Sequence, residues 1–280
     1  MTEPGPIRAR SWLFTPATHP GRFAKAAAAG ADVAILDLED AVAPKDKAQA
    51  RRNALDYLAN SPSDGALHAL RVNGLDTLAG ISDLEALLGS SANPDFLVLP
   101  KTETIGHLQI LDRLLTSAGK GTRLIGLIES AQGLAATEAI ATATPRLAGL
   151  MLGAADMAAD LGATSAWEPL AFVRGRLIAT CALTGVPPID SPFFNLNDEA
   201  GLRREAAAAV ALGFNAKAAI HPTQIGAINA ALTPSADAVT RARAILAEST
   251  KGVGTVDGEM IDEAVARKAR RTLASAGLHA

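Results

Sequence analysis

The sequence predicts a (β/α)8 barrel with a helical extension at its C-terminal end. Short runs rich in Val, Ile and Leu alternate with longer Ala-rich stretches of helical period almost to residue 230, which is the pattern of βα units. Eight such runs occur, the natural count for a closed barrel, and their spacing of about 25 to 30 residues suits that fold's repeat. A doubly wound open sheet also alternates, but it usually carries a glycine-rich first turn. The turn after the first run reads TPATHPG, which favours the barrel.

Taken in order, strands are expected near residues 11–16, 33–39, 67–73, 96–101, 123–129, 147–153, 187–190 and 216–221. Each is a short apolar run that ends on polar or turn residues. Between them, helices are expected near 20–29, 44–59, 79–89, 104–118, 131–142, 168–184, 197–212 and 223–231, several opened by a cap-like residue such as Thr104 or Asn197. After residue 231 the pattern changes. Pro234 follows a helix stop, a helix is expected near 235–249, the segment KGVGTVDG reads as a turn, and a last helix starts near 262. Residues 1–231 are therefore expected to form the barrel and 232–280 an addition to it. That addition is either a lid or arm reaching a neighbouring subunit, or a helix packed on the barrel's outside.

Composition narrows the function. Of the 280 residues 49% are hydrophobic, enough for one large core. A formal net charge of −3 and 4% aromatic residues offer neither a basic field nor stacking platforms, so nucleic-acid binding is not expected. The single cysteine, Cys181, lies in an apolar helical stretch, which excludes a disulfide framework within the chain and favours a core thiol over a nucleophile. The opening MTEPGPIRAR lacks an apolar signal core, and no window approaches the roughly 18 apolar residues of a membrane span. A cytoplasmic protein without membrane partners is the expectation.

Chemistry in such a barrel gathers where the strands end, so polar residues closing an apolar run are the candidates. Asp37, Glu39 and Asp40 close the second run, Arg71 and Asn73 the third, Lys101 the fourth, Glu129 the fifth, Asp190 the seventh and His221 the eighth, while Asp156 follows the sixth. Glu129 and Asp156 come from adjacent strands to one rim. Two carboxylates with open positions beside them are what Mg2+ accepts, being a hard ion that keeps water or substrate oxygens. Helix capping is the other reading, and it suits Asp156 better than Glu129. Asp37 and Glu39 share a face by the two-residue period, and Arg71 on the next strand can compensate them, as support around the site or as a structural ion-pair network. The small residues 153–155 leave backbone amides open at a helix start, a seat for a carboxylate. His221 lacks a second His or Cys at ligand spacing, so zinc is not expected, and it either anchors its loop or meets a ligand. Ser11, Ser130 and Ser191 lack a nucleophile elbow.

With these residues in view the chain resembles the HpcH/HpaI aldolase and citrate lyase beta subunit family, in particular its free-standing malyl-CoA and citramalyl-CoA lyase members. The stretches that carry the resemblance include WLFTPATHPGRFAKA (12–26), VAILDLEDAVAPKDKAQAR (33–51), RVNGLDT (71–77), VLPK (98–101), LIESAQG (127–133), PRLAGLMLGAADMAADLG (145–162), LGFNAKAAIHPTQI (212–225) and VDGEMIDEAVARKARR (256–271). The resemblance implies a homo-oligomer, trimer or hexamer, that cleaves a 3-hydroxyacyl-CoA to acetyl-CoA and a 2-oxo acid. It implies Mg2+ on Glu129 and Asp156, with Arg71 on the thioester or enolate oxygen and the backbone at Ala155 cradling the oxo-acid carboxylate. Phe14, His19 and Lys25 fall where the family binds the CoA moiety, with Ile220 and His221 lining the same region. Asp262 matches an acid–base group that the family's lid offers to a neighbouring subunit's active site.

Three departures bear on the substrate. Ala17 stands where many relatives have Gly, His19 where malyl-CoA lyases carry Arg, and the segment from Asp156 to Glu168 is short. The last favours the citrate-lyase-beta-like branch. A malyl-CoA-type thioesterase, an aldolase for free hydroxy-oxo acids and the beta subunit of a citrate lyase complex are the competing functions.

Overall fold

A computed structural model describes residues 9–60, 65–249 and 254–278. Eight parallel strands close on themselves in sequence order, β1 (Ser11–Pro16), β2 (Val33–Asp37), β3 (Leu67–Arg71), β4 (Phe96–Leu99), β5 (Arg123–Ile128), β6 (Leu147–Leu152), β7 (Pro188–Asp190) and β8 (Ala216–Ala219). Ten helices alternate with or follow them: α1 (Phe23–Ala28), α2 (Lys47–Ala59), α3 (Leu78–Gly89), α4 (Ile105–Ser117), α5 (Ala131–Ala135), α6 (Thr137–Ala141), α7 (Ala154–Leu161), α8 (Ala171–Thr184), α9 (Glu199–Leu212) and α10 (Ile225–Leu232). This is the expected (β/α)8 barrel.

A parallel strand covered on both faces must be apolar throughout, and β2, β4 and β6 are buried along their whole length. Register assigns the faces. Trp12 pairs with Val33, Asp37 with Arg71, Ala69 with Phe96 and Met151 with Ile189, and these residues line the interior, where the rings of Trp12 and Phe96 meet at 4.9 Å. The alternate residues Leu36, Leu70, Leu97, Leu124 and Leu150 pack outward with helix residues such as Leu87, Leu111 and Leu177 in the main hydrophobic core.

Several elements differ from expectation for local reasons. Strands β2, β3, β4 and β8 stop two residues before the expected runs do. At β2 the cause is visible: the Glu39 N–H donates to Asp37 Oδ1 at 2.9 Å, turning the chain out of the ladder. The helix expected over 131–142 divides into α5 and α6 at Ala136. Asp198 rather than Asn197 caps α9, accepting from Gly201 N–H at 2.7 Å, while Thr104 precedes α4 without a side-chain cap bond. Cys181 is buried, and burial pushes its thiol up to about 12, so it is a core residue.

Asp190 ends β7 but turns away from the barrel interior, as the parity of its register with inward-facing Ile189 requires. It meets Arg174 Nε at 2.9 Å and Lys217 Nζ at 2.5 Å, and Lys217 also reaches Glu205 at 2.8 Å. The Arg174 guanidinium lies 4.3 Å from the Trp167 ring centroid. This ion network sits between strands β7 and β8 and helices α8 and α9.

Residues Ala9–Ile228 form one compact unit, and the chain from Asn229 onward belongs to a second. The second contains α11 (Ala236–Ser249), an antiparallel hairpin of β9 (Gly254–Val256) and β10 (Glu259–Ile261), and α12 (Glu263–Ala276). The hairpin stands where only a turn is expected. Its signal is Asp257–Gly258, which both take positive φ, 51° and 79°, as a two-residue hairpin turn demands. The first residues of KGVGTVDG lie outside the described residues. Ala242, Ile245, Ile261, Ala269 and Leu273 form this unit's small core. No helix of the described residues is long and apolar enough to cross a membrane.

Candidate active site

The C-terminal ends of β2 to β6 bring most of the candidate residues to one rim. Arg71, the last residue of β3, donates from Nε and Nη2 to the two oxygens of Asp37 on β2, both at 2.7 Å. Its Nη1 stands 2.8 Å from Glu39 Oε2 and 3.8 Å from Asp40 Oδ2. Glu39 Oε2 is buried and accepts no directed hydrogen bond, so its contact with Nη1 is an ion pair off the bonding axis. The Arg71 guanidinium also lies 4.7 Å from the Phe14 ring centroid, which ties β1 to the same place. Burial alone would lower the pKa of Arg71, but Asp37, Glu39 and Asp40 more than offset it and hold the group charged.

Glu129, directly after β5, is buried and tightly framed. Its Oε1 accepts the Lys101 N–H at 2.7 Å. On the other side lies Gly153, where a Cβ would stand 2.4 Å from Glu129 Oε2 and 2.5 Å from its Cβ. A side chain at 153 would displace the carboxylate. Burial, then the charge of Glu39, then that of Asp156 push the Glu129 carboxyl up to about 8, and burial leads the causes that hold Glu39 near 7. Glu129 and Glu39 are therefore both held above the ordinary carboxylate range, with the charge of Asp156 nearby. Such a cluster is costly to ionise unless a cation joins it.

Magnesium is the cation this donor set fits. The donors expected from the sequence are the carboxylates of Glu129 and Asp156, and Glu129 is framed on both sides. Among the described residues no three His, Cys, Asp or Glu side chains form a group able to hold a metal by themselves. Mg2+ accepts a two-carboxylate site, with its remaining positions going to water or substrate. Asp156 sits half-buried in the first turn of α7, whose start at Gly153 carries no side-chain cap, and Ala155 is exposed there. The leading amides of α7 stay available for an anion.

His19 and Lys25 are exposed, on the loop after β1 and on α1. Ile220 and His221 follow β8. His221 serves its own loop: Nδ1 accepts from the Thr223 N–H at 3.3 Å and lies 2.8 Å from Thr223 Oγ1, while Gln224 Oε1 accepts from the N–H groups of both Ile220 and His221. Asp262 lies in the second unit, where its side chain caps α12 by accepting from Val265 N–H at 2.9 Å.

Two supporting residues are absent from the sequence-based candidates. The Lys47 ammonium on α2 donates to the carbonyls of Leu38 and Glu39, both at 3.0 Å, and to Asn73. Asp83 on α3 accepts from Asn73 at 2.6 Å and from Arg51 at 2.7 Å. Together they pin the turn that carries Glu39. In the sequence both look like ordinary polar residues of a helix.

The sequence profile of the HpcH/HpaI aldolase/citrate lyase family matches residues 10–222. The chain is 37% identical to an L-malyl-CoA/beta-methylmalyl-CoA lyase of Rhodobacter capsulatus over an alignment 299 positions long, which covers 95% of this chain and 94% of the relative. Among solved structures it is similar to RipC from Yersinia pestis, with 56% identity, a TM-score of 0.74 and coverage of 83% of this chain and 98% of that one. It is also similar to CitE from Mycobacterium tuberculosis in complex with magnesium, acetoacetate and coenzyme A, with 35% identity, a TM-score of 0.81 and coverage of 96% and 98%.

Proposed function

The chain belongs to the HpcH/HpaI aldolase/citrate lyase family and is a magnesium-dependent carbon–carbon lyase of CoA thioesters; from that premise we propose that it cleaves citramalyl-CoA or malyl-CoA to acetyl-CoA and pyruvate or glyoxylate. The observation that carries this reading is the placement of Glu129 and Asp156 on the same rim as Arg71, with one acid pair for a cation and one buried guanidinium for an oxyanion. The names of the relatives, a malyl-CoA lyase and a CitE that binds magnesium, acetoacetate and coenzyme A, support the substrate class.

Glu129 and Asp156 would hold the Mg2+, which when bound would supply Lewis acidity toward the substrate's hydroxyl and adjacent carboxylate. The α7 amides near Ala155 hold that carboxylate in place. The hydroxyl gives its proton to solvent water and becomes a carbonyl as the bond between the carbinol carbon and the thioester α-carbon breaks, and the electron pair of that bond passes to the thioester oxygen. Arg71 stabilises this enolate oxygen, held in orientation by its two bonds to Asp37. Phe14, His19, Lys25, Ile220 and His221 border the path for the CoA moiety. Protonation of the enolate carbon completes acetyl-CoA.

We assign that proton transfer to Asp262 of a neighbouring subunit, the segment 232–280 serving as a lid within a trimer or hexamer. Asp262→Asn then lowers turnover by about two orders of magnitude with substrate affinity kept, in the range of a lost acid–base group; an unchanged kcat returns Asp262 to a helix cap alone.

Mass spectrometry of products tests the whole reading, with citramalyl-CoA and malyl-CoA supplied in Mg2+ and then in chelator. Metal-dependent acetyl-CoA with pyruvate or glyoxylate is the expected result. Free CoA with the intact hydroxy acid would make the chain a thioesterase, and no product from the chain alone would favour a subunit role.

A further inference from the structure

Lys101 holds a backbone conformation that its residue type disfavours. Among the described residues only Lys101 and Asp257 combine a side chain with positive φ, at 46° and 51°. Asp257 lies in a hairpin turn, where such a φ is ordinary. Lys101 lies at the active-site rim, two residues past β4. A long L side chain in the left-handed region is strained, and glycine adopts the same region freely.

The flanking bonds keep the turn in place. Thr102 N–H donates to the Leu127 carbonyl at 3.1 Å and Thr102 Oγ1 to the Leu99 carbonyl at 2.9 Å. Between them the turn aims the Lys101 N–H at Glu129 Oε1. Glycine would make that bond equally well, with no strain. What glycine lacks is the ammonium, and Lys101 Nζ stands 3.6 Å from Glu39 Oε1. Glu39 is thus divided between two cations, Oε1 toward Lys101 and Oε2 toward Arg71 Nη1.

We propose that Lys101 is a positioning residue: its ammonium draws on Glu39, limits that acid's hold on Arg71 and leaves Nη1 able to turn to the substrate oxygen. Strain at a functional rim is retained when the side chain it carries is needed. The inference rests on the assignment of Arg71 to the enolate and adds a residue that acts through Glu39.

Lys101→Gly separates the two contributions, because it keeps the amide and deletes the ammonium. Relief of strain and the added freedom of the unfolded chain oppose each other, so Tm stays within about 3 °C of wild type. The Mg2+ activation constant does not rise, since Glu129 keeps its anchor and the deleted ammonium also faces Glu129 and Asp156. Turnover falls by about 10- to 100-fold, the usual effect of losing a partner outside the directly binding groups, and Lys101→Arg restores most of it. In a Glu39→Gln background, Lys101→Gly costs little more. The proposal is overturned by a Lys101→Gly enzyme that turns over as wild type, by failure of Lys101→Arg to restore rate, by a Mg2+ constant that rises as kcat falls, or by additive losses with Glu39→Gln. A wild-type chain that makes no acetyl-CoA overturns the lyase reading and this inference with it; when the wild type is active, a loss in the variant reports on Lys101 alone.

Discussion

Glu129→Gln is expected to lower magnesium-dependent turnover by about a thousandfold or more, the several kcal/mol that a Lewis acid supplies, without unfolding the barrel. An amide is a weak ligand for a hard cation, yet it fills the same space and still accepts the Lys101 N–H. The same variant should flatten the pH dependence of the metal-free protein's stability. The Glu129 carboxyl is pushed from its ordinary 4.5 to about 8, by burial first and by the charge of Glu39 second. The folded state therefore binds this proton more tightly than the unfolded chain does. Its contribution is complete below about pH 4.5 and is lost as pH rises through about 8. In chelator, wild-type Tm should fall between pH 6 and pH 8, and Mg2+ should reverse the fall by binding the folded state. Glu129→Gln should fall less steeply, Glu39 near 7 supplying the slope that remains. Equal slopes in the two proteins, or full activity in the variant, would remove Glu129 from the metal site.

Gly153→Ala crowds the same carboxylate without replacing a donor residue. The new Cβ would lie 2.4 Å from Glu129 Oε2 and 2.5 Å from its Cβ, distances that force one of the two backbones to move. We expect the Mg2+ activation constant to rise by about tenfold, as for other disturbed supports of a metal ligand. A constant equal to wild type would mean that Glu129 is free to swing.

How much of this is legible in the sequence follows from which physics is local. The strands and most helices are, because an apolar run of four to six residues between Ala-rich helical stretches admits few other structures. The hairpin of the second unit is not, although its Asp257–Gly258 turn is a local signal, since the glycines around it suggest a loop. Acids such as Glu129 stand out because a charge closing a buried run demands a partner. Their partners come partly into view: Arg71 is the expected partner of Asp37 and Glu39, and the structure joins the three. The parts of the site that depend on distant chain do not come into view. Lys47 and Asp83 act through carbonyls and Asn73 near Glu39, and spacing along α2 or α3 does not distinguish them from solvated residues. Nor does the residue name Lys101 announce a φ of 46°.

Asp190 shows the limit of the strand-end rule and carries the largest stability prediction. It closes an apolar run just as Glu129 does, but it is the next residue after inward-facing Ile189, so its carboxylate leaves the barrel on the helix side. There it joins Arg174 and Lys217, whose side chains are 1% exposed against 0% for its own. Asp190→Ala would leave two buried cations with reduced compensation. Lys217 keeps Glu205 at 2.8 Å and the Ser191 carbonyl at 2.8 Å, but among the described residues Arg174 keeps only Ser191 Oγ at 3.2 Å and the Trp167 ring, and its Nη1 has no hydrogen-bond partner there. Breaking a buried pair in this way costs about 3–5 kcal/mol, which for a chain of this size lowers Tm by roughly 10 °C. Turnover measured well below the transition should change little, because this network faces away from the rim that holds Glu129 and Arg71. Thermal unfolding together with kcat at low temperature checks both halves: a Tm within about 3 °C of wild type would mean that the network holds no net stability, and a large loss of kcat in the folded protein would mean that β7 transmits its packing to the active site.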